Sequence, residues 1–437
     1  MTPTDKQLVT MTGFPAGINN QVREDALPVD ANTGAQTSLR QAVNVYLPNN
    51  GKPQMRDGYT QITAGIGGSS FTGPQGMFAV IDGDLKLYDA NLASTTVIAG
   101  IGERDISYAV VNGEVYWSNS IRIGRIDANG VSKPVWIGEP GQPTVAAYAT
   151  GGLAAGDYQV ALAWLDDTGR LSGCSLATVV TLTQGQGIRL TNIPPNPDAA
   201  TVRVYVTPTN GEALYWAADF PAGTSTYIIG NTQRGALLET QWLELMPPGQ
   251  IVRAWNGMLL VASQNIVWRS EVHRYGLKRY DNYNRYHGYV SLMEPVGQAD
   301  VSGVFIAVND ERPGKSRTYF VTKGDEWKQV TAFPHGAIEG TVCQESGDVF
   351  GEVAEGYATV AYWVADNGQP VIGLPSGRVK PLTADRFVTP LAERGATLFR
   401  DTNGIRQMIS SLLGSTTNQA AVGDFATAEV RRNGVTV

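Results

Sequence analysis

Histidine and cysteine are scarce in this chain of 437 residues, with three histidines, His273, His287 and His335, and two cysteines, Cys174 and Cys343. No His-x-x-x-His, His-Glu-x-x-His or paired-Cys spacing occurs, which removes the usual zinc patterns. Gly-x-Ser-x-Gly and Gly-x-x-x-x-Gly-Lys-Ser/Thr are also missing, so neither a hydrolase elbow nor a phosphate cradle is indicated, and no cofactor is expected. The glycines Gly65, Gly67 and Gly68 read as a turn with nothing helical after them. The two cysteines sit in unrelated contexts and read as free thiols made in a reducing compartment. No apolar run approaches the ~18 residues of a membrane span. Met1 to Phe14 lacks the basic and apolar regions of a secretory signal. Charged residues are 17% of the chain, with no long block of one sign, so no disordered charged tail is expected. A formal charge of -7 argues against a general nucleic-acid binder, which would need a basic face.

Turn formers are plentiful: 50 glycines and 23 prolines in a chain with few helix signals point to short strands joined by tight turns. Asn-Gly or Asp-Gly pairs stand at 82–83, 112–113, 129–130, 256–257, 367–368 and 403–404, flanked by alternating apolar residues. Two-residue hairpin turns need positive φ at both central positions, which these residues tolerate. The flanking alternation, such as Val115 and Trp117 against Glu114 and Tyr116, is that of strands. The segments fall into units the size of a four-stranded propeller blade, near 42–70, 75–104, 106–138, 249–285, 290–333, 345–385 and 393–412. One or two irregular sandwiches remain the alternative. Gly17 to Val22 or Ala42 to Leu47 is placed to supply a closing strand. The helix candidates are short, Asn403 to Leu413 and one turn at Ser38 to Ala42.

Residues 141–230 differ from their surroundings. After the Pro140-Gly141-Gln142-Pro143 turn, Tyr158, Val160, Leu162 and Trp164 alternate along one strand, and further strands run to Tyr227-Ile228-Ile229. Short strands with a buried-type Trp early in the segment make this stretch similar to a fibronectin type III or immunoglobulin-like sandwich. The expected organisation is a propeller-like body in two parts, 1–140 with an N-terminal arm and 231–413, interrupted by the 141–230 insert. A tail at 414–437, rich in Ser, Thr, Asn, Ala and Gly, is expected to be extended or disordered until it docks on a neighbour.

Adjacent acidic pairs, Asp166-Asp167, Asp310-Glu311 and Asp325-Glu326, read as solvated loop charges, and no acid and nucleophile can be nominated for glycan cleavage. One constellation stands out. Between positions 269 and 289 the cations Arg269, Arg274, Lys278, Arg279 and Arg285 interleave with Tyr275, Tyr280, Tyr283, Tyr286 and Tyr289, against only Glu271 and Asp281. Three readings stay open: a subunit interface, where Tyr and Arg are favoured anchors; a channel lining that meets DNA phosphates or glycans; and an irregular loop whose tyrosines pack on the body. Arg431 and Arg432, near the end of the chain, are further interface candidates.

Several collinear segments resemble a family of tailed-bacteriophage virion proteins: Gly17-Ile18-Asn19-Asn20 with Ala26-Leu27-Pro28, Leu39-Arg40-Gln41-Ala42-Val43-Asn44-Val45, Arg56-Asp57-Gly58-Tyr59, Trp255-Asn256-Gly257-Met258-Leu259, Trp268-Arg269-Ser270-Glu271 and Arg274-Tyr275-Gly276. Tyr319-Phe320-Val321, Pro334-His335-Gly336-Ala337, Tyr362-Trp363-Val364-Ala365-Asp366 and Arg394-Gly395-Ala396 continue the run. The resemblance implies a structural, non-enzymatic role in the virion, with synthesis in the host cytoplasm and no catalytic residues to carry over. Its leading placement is a ring of copies below the portal, a tail nozzle around the DNA exit channel. Portal, adaptor or tail-tip proteins would be partners, with transient contact to the genome during ejection. A tail-tip or receptor-binding role and a glycan depolymerase are the alternatives.

Overall fold

A computed structural model describes residues 13–32, 35–41, 45–46, 52–55, 63–193, 195–231, 235–298, 301–312, 314–322, 327–383, 386–402, 405–414, 425–432 and 435–436. The chain is all-β. Among the described residues the helical elements are short 3-10 turns at Glu24–Ala26, Gly347–Val349 and Gly351–Ala354. The chain divides into two compact units, one of Gly65–Arg285 and one of Met1–Ala64 with Tyr286–Val437.

In the unit Gly65–Arg285, three four-stranded antiparallel sheets form from strands close in sequence. Sheet I holds Gly67–Gly73, Gly76–Ile81, Asp84–Tyr88 and Ser94–Ile98; sheet II holds Ser107–Val111, Glu114–Ser118, Ile123–Ile126 and Ser132–Pro134. Sheet III holds Ile251–Trp255, Met258–Ser263, Ile266–Arg269 and Tyr283–Arg285. Sheet II is covered on both faces. Val115 and Trp117 pack with Phe78, Val80 and Leu85 of sheet I, while Ala109, Val111 and Tyr116 share a core with Val252, Leu259 and Val261 of sheet III. Two-sided burial explains why Val115-Tyr116-Trp117 reads as a continuous apolar run with little polar alternation. A fully buried side chain of this size contributes about 1.5–3 kcal/mol of transfer free energy.

Between sheets II and III in sequence, residues 144–229 form two facing sheets. A three-stranded one comprises Thr144–Leu153, Gln186–Thr191 and Thr226–Ile229. The five-stranded one is centred on Gly156–Leu165, with Leu171–Cys174, Thr178–Leu182, Thr201–Val206 and Tyr215–Pro221. Tyr158, Val160, Leu162 and Trp164 do lie on one face, meeting Ile188, Leu190 and Ile229 of the facing sheet. The opposite face is also buried, with Ala161, Ala163 and Tyr205 against Leu214 and Leu238. A two-stranded ribbon, Leu243–Leu245 with Leu277–Arg279, completes this unit's described pairings.

The second unit repeats the stack. Sheet IV holds Tyr289–Gln298, Val301–Asn309, Arg317–Thr322 and Gln329–Phe333; sheet V holds Cys343–Ser346, Thr359–Val364, Pro370–Gly373 and Val379–Pro381. Sheet VI holds Ala392–Thr402, Ile405–Gly414, Phe425–Arg432 and Val435–Thr436. Along Thr359–Val364, Ala361 and Trp363 face Phe305 and Phe320 of sheet IV, whereas Val360, Tyr362 and Val364 face Met408 and Leu412 of sheet VI.

The expected turns have two geometries. Asp82-Gly83, Asn112-Gly113 and Asn256-Gly257 have positive φ at both residues, the pairs of two-residue hairpins. At Asn129-Gly130 and Asn367-Gly368 only the glycine does, because the loops are one residue longer and close through Asp127 N to Val131 O and Ala365 N to Gln369 O. Asn403-Gly404 lies outside the described residues.

Two helix expectations are corrected. Residues 405–414 form a strand, not a helix: the spacing of Ile405, Met408, Ile409 and Leu412 suits a helical face equally well, and the ladder to Ala392–Thr402 decides the matter. Ser410, between them, is not solvated either: it is buried and meets the Thr397 hydroxyl at 2.8 Å and the Tyr362 hydroxyl at 3.3 Å. In the C-terminal segment, for which an extended or disordered chain is expected, Phe425–Arg432 is extended and adds to the edge of Ile405–Gly414. Ladder hydrogen bonds need no amphipathic period; residues 415–424 lie outside the described set. Ser38 to Gln41 makes no helical turn, and Leu39 instead bridges Ile18.

Gly17 to Val22 forms no strand, yet it is tied to the chain just ahead of sheet VI. Asn20 N donates to Arg386 O at 2.9 Å, Asn20 Nδ2 to Val388 O at 2.8 Å, and Val388 N to Asn20 Oδ1 at 3.2 Å. The amide thus mimics a peptide group, acting as donor and acceptor to one residue. Asn20→Ala is expected to destabilise this unit by about 1–3 kcal/mol, because both backbone partners lose their hydrogen bonds; chemical denaturation measures it, and no change would mean that water replaces the amide. Most of the Ala42 to Leu47 alternative lies outside the described residues; Val45–Tyr46 pairs only with Gln54–Met55.

Candidate functional site

The aromatic and cationic segment is largely consumed by internal packing. Glu271 to Arg279 loops back so that Leu277–Arg279 pairs with Leu243–Leu245, and Tyr283–Arg285 then closes sheet III beside Ile266–Arg269. Lys278, 5% exposed, places Nζ 2.8 Å from Glu244 Oε2 and 4.2 Å from the centre of the Trp268 ring. Arg274 bonds Glu239, and Arg279 Nε lies 3.1 Å from Glu271 Oε1. Arg269 is held through its backbone, its N–H donating to Asn282 O at 3.0 Å. Three of the five cations are therefore paired with acids, two of those acids more than 30 residues upstream.

The tyrosines divide by exposure. Tyr275 is buried, edge-on to Tyr116 with ring centres 5.9 Å apart. Tyr286 is buried as well, accepting a hydrogen bond from Trp327 Nε1 at 3.3 Å, and Tyr289 donates to Glu339 Oε1 at 2.9 Å. Tyr286 thus has a packing role. Tyr280 and Tyr283 remain accessible, at 69% and 41%, Tyr283 with its ring 4.8 Å from Trp268. Arg285 is exposed beside them and has no ion pair among the described residues. Arg431 and Arg432 lie in the last long strand, paired with Thr436 and Val435; their side chains are outside the described set.

Sequence reasoning missed a buried charge network. Glu114 Oε1 receives Arg125 Nη1 at 2.7 Å and Glu114 Oε2 receives Arg170 Nη2 at 2.6 Å. Arg125 Nη2 also lies 3.7 Å from Asp166 Oδ2, and Arg170 sits over the Trp136 ring at 5.3 Å. Asp166 is thus no solvated loop charge: it is buried and accepts the backbone N–H groups of Thr168 and Arg170 at 2.9 and 2.8 Å. Burial, and then Glu114, push the Tyr116 phenol above its ordinary range. Of the other acidic pairs, Asp310 is gripped by Arg312, whose hydrogen bonds hold its carboxyl well below the usual carboxylate range, and Asp325-Glu326 lies outside the described residues.

The histidines do not form a shared centre. His335 Nδ1 is 3.2 Å from Asp366 Oδ1, while His287 meets Lys315 O at 3.0 Å and the Tyr319 hydroxyl at 3.3 Å. Among the described residues no group of three or more His, Cys, Asp or Glu side chains is placed to hold a metal. Both cysteines are free; burial raises each thiol, that of Cys343 to about 12 with Glu345 adding to it. Among the described residues no helix is long and apolar enough to cross a membrane. In comparisons with known proteins, no family model and no curated protein matches the chain.

Proposed function

We propose that this protein is a non-enzymatic structural component of a bacteriophage tail, incorporated in the virion as a ring of copies around the DNA exit channel. The observation that carries the reading is the repeated stack of four-stranded meanders, each middle sheet buried on both faces, combined with collinear motifs that resemble tail proteins over most of the chain. Sheets of this kind are the blades of a propeller-like body, and residues 141–230 are its immunoglobulin or fibronectin III-like insert. The motif residues are structural where they are described: Asn20 ties the N-terminal arm, and Trp363 and Tyr362 fill two cores. Partners are other tail proteins, portal, adaptor or tip, and DNA contact is transient. Tyr283 and Arg285 supply the accessible part of the subunit contact.

Imaging virions with the protein labelled tests the placement. Density directly below the portal supports the nozzle, and density only at the far end of a long tail assigns the chain to the tip instead. Exposed Tyr280 favours that second, receptor-binding reading, which saturable adsorption of purified protein to host cells would establish. Turnover of host-surface polysaccharide would overturn the non-enzymatic reading in favour of a depolymerase. Removal of residues 415–437 strips a paired strand from sheet VI, so loss of incorporation by that truncation must be read alongside its folding.

A further inference from the structure

A second surface feature belongs to neither the core nor the charge networks. Trp242 is 67% exposed and adopts φ +66. A bulky side chain in the left-handed region is strained, and here the strain secures no burial. Trp242 directly precedes Leu243, whose register partner is Arg279, and Tyr280, 69% exposed, directly follows Arg279. The two aromatic residues therefore flank one end of the Leu243–Leu245 ribbon. The same ribbon lines a cavity of about 150 Å³, bounded by Glu139, Gly173, Leu243, Glu244, Leu245 and Leu277. Trp242 adjoins this cavity along the chain, being next to its wall residue Leu243.

We infer that Trp242, Tyr280 and this cavity form a binding site for a neutral sugar. Charge selects that class. Glu244 is neutralised by Lys278, Glu239 by Arg274 and Glu271 by Arg279, so the surroundings carry no excess of cations for a phosphate. The cavity itself offers the carboxylate oxygens of Glu139 and Glu244, which accept hydrogen bonds from hydroxyl groups. Burial, and then Glu244, raise the Glu139 carboxyl above its usual range. A pyranose supplies both halves of the match, hydroxyl edges for the carboxylates and an apolar C–H face for aromatic rings. Ligand pockets usually enclose roughly 300–1,000 Å³, so this smaller cavity takes the edge of one ring while the flanking aromatic residues carry its neighbour. The inference rests on geometry within one unit and stands whether or not the tail assignment holds.

Saturation-transfer NMR on the full-length protein with maltose, cellobiose, lactose and diacetylchitobiose tests it. At least one disaccharide is expected to bind, and Trp242→Gly and Tyr280→Ala are each expected to weaken that binding by about tenfold, equivalent to about 1.4 kcal/mol. Glycine tolerates the left-handed backbone, so Trp242→Gly should melt no lower than the parent; Trp242→Asn, which also accepts that conformation, serves if the glycine variant folds poorly. Absence of transfer from all four sugars, or transfer unaffected by these variants, overturns the inference. So does a change of oligomeric state in the variants without any sugar effect, which would assign the aromatic pair to a protein contact.

Discussion

Arg125→Met is expected to lower the unfolding free energy by about 3–5 kcal/mol, the cost typical of breaking a buried ion pair from one side. Arg125 is 7% exposed, and its guanidinium lies between the carboxylates of Glu114 and Asp166. Methionine restores most of the volume but leaves Asp166 without its arginine and Glu114 with Arg170 alone, at 2.6 Å. The network joins sheet II to the Asp166–Arg170 turn of the inserted sheets, so the loss should loosen that turn first. Chemical denaturation followed by circular dichroism gives the magnitude, and the Glu114→Gln, Arg125→Met double variant gives the coupling. Recovery of part of the loss in the double variant is expected, since the penalty comes from uncompensated charge. A cost for Arg125→Met below about 1 kcal/mol would show instead that solvent screens the pair as it does at a surface.

Trp363→Ala is expected to cost about 3–5 kcal/mol, as for other fully buried aromatic residues. Its indole is 0% exposed, with its ring centre 5.4 Å from that of Phe305 and its other neighbours drawn from sheets IV and V. Gly373 has no room to fill the space: a β-carbon there would stand 2.4 Å from Phe305 Cε2 and 2.7 Å from Trp363 Cζ3. The indole Nε1 is buried with no hydrogen-bond partner among the described residues. Trp363→Phe removes that unsatisfied donor and retains most of the ring, so its cost should stay below about 1.5 kcal/mol. Thermal and denaturant unfolding of the two variants side by side checks the order. Equal losses would mean that indole shape, rather than bulk apolar volume, holds sheets IV and V together.

Local chemistry was readable in the residues alone. Asp82-Gly83, Asn112-Gly113 and Asn256-Gly257 dictate their hairpins because positive φ is an intrinsic preference of a dipeptide, independent of what packs on it. The one-face alternation of Tyr158, Val160, Leu162 and Trp164 likewise follows from the pleat, and with the turns it establishes an all-β chain. Tertiary structure decided everything that depends on partners distant in sequence. Whether Ile405 to Leu413 becomes strand or helix is settled by the ladder to Ala392–Thr402, since its apolar spacing serves both periods. In the cationic run after Trp268, Arg274 and Lys278 find their acids in distant Glu239 and Glu244, and the buried network gathers Glu114, Arg125, Asp166 and Arg170 from three separate turns and strands. Trp242 stands exposed on strained backbone although its residue type predicts burial. Periodicity reports which side of an element is apolar; which charge meets which, and which aromatic is left to solvent, follows only when the sheets stack.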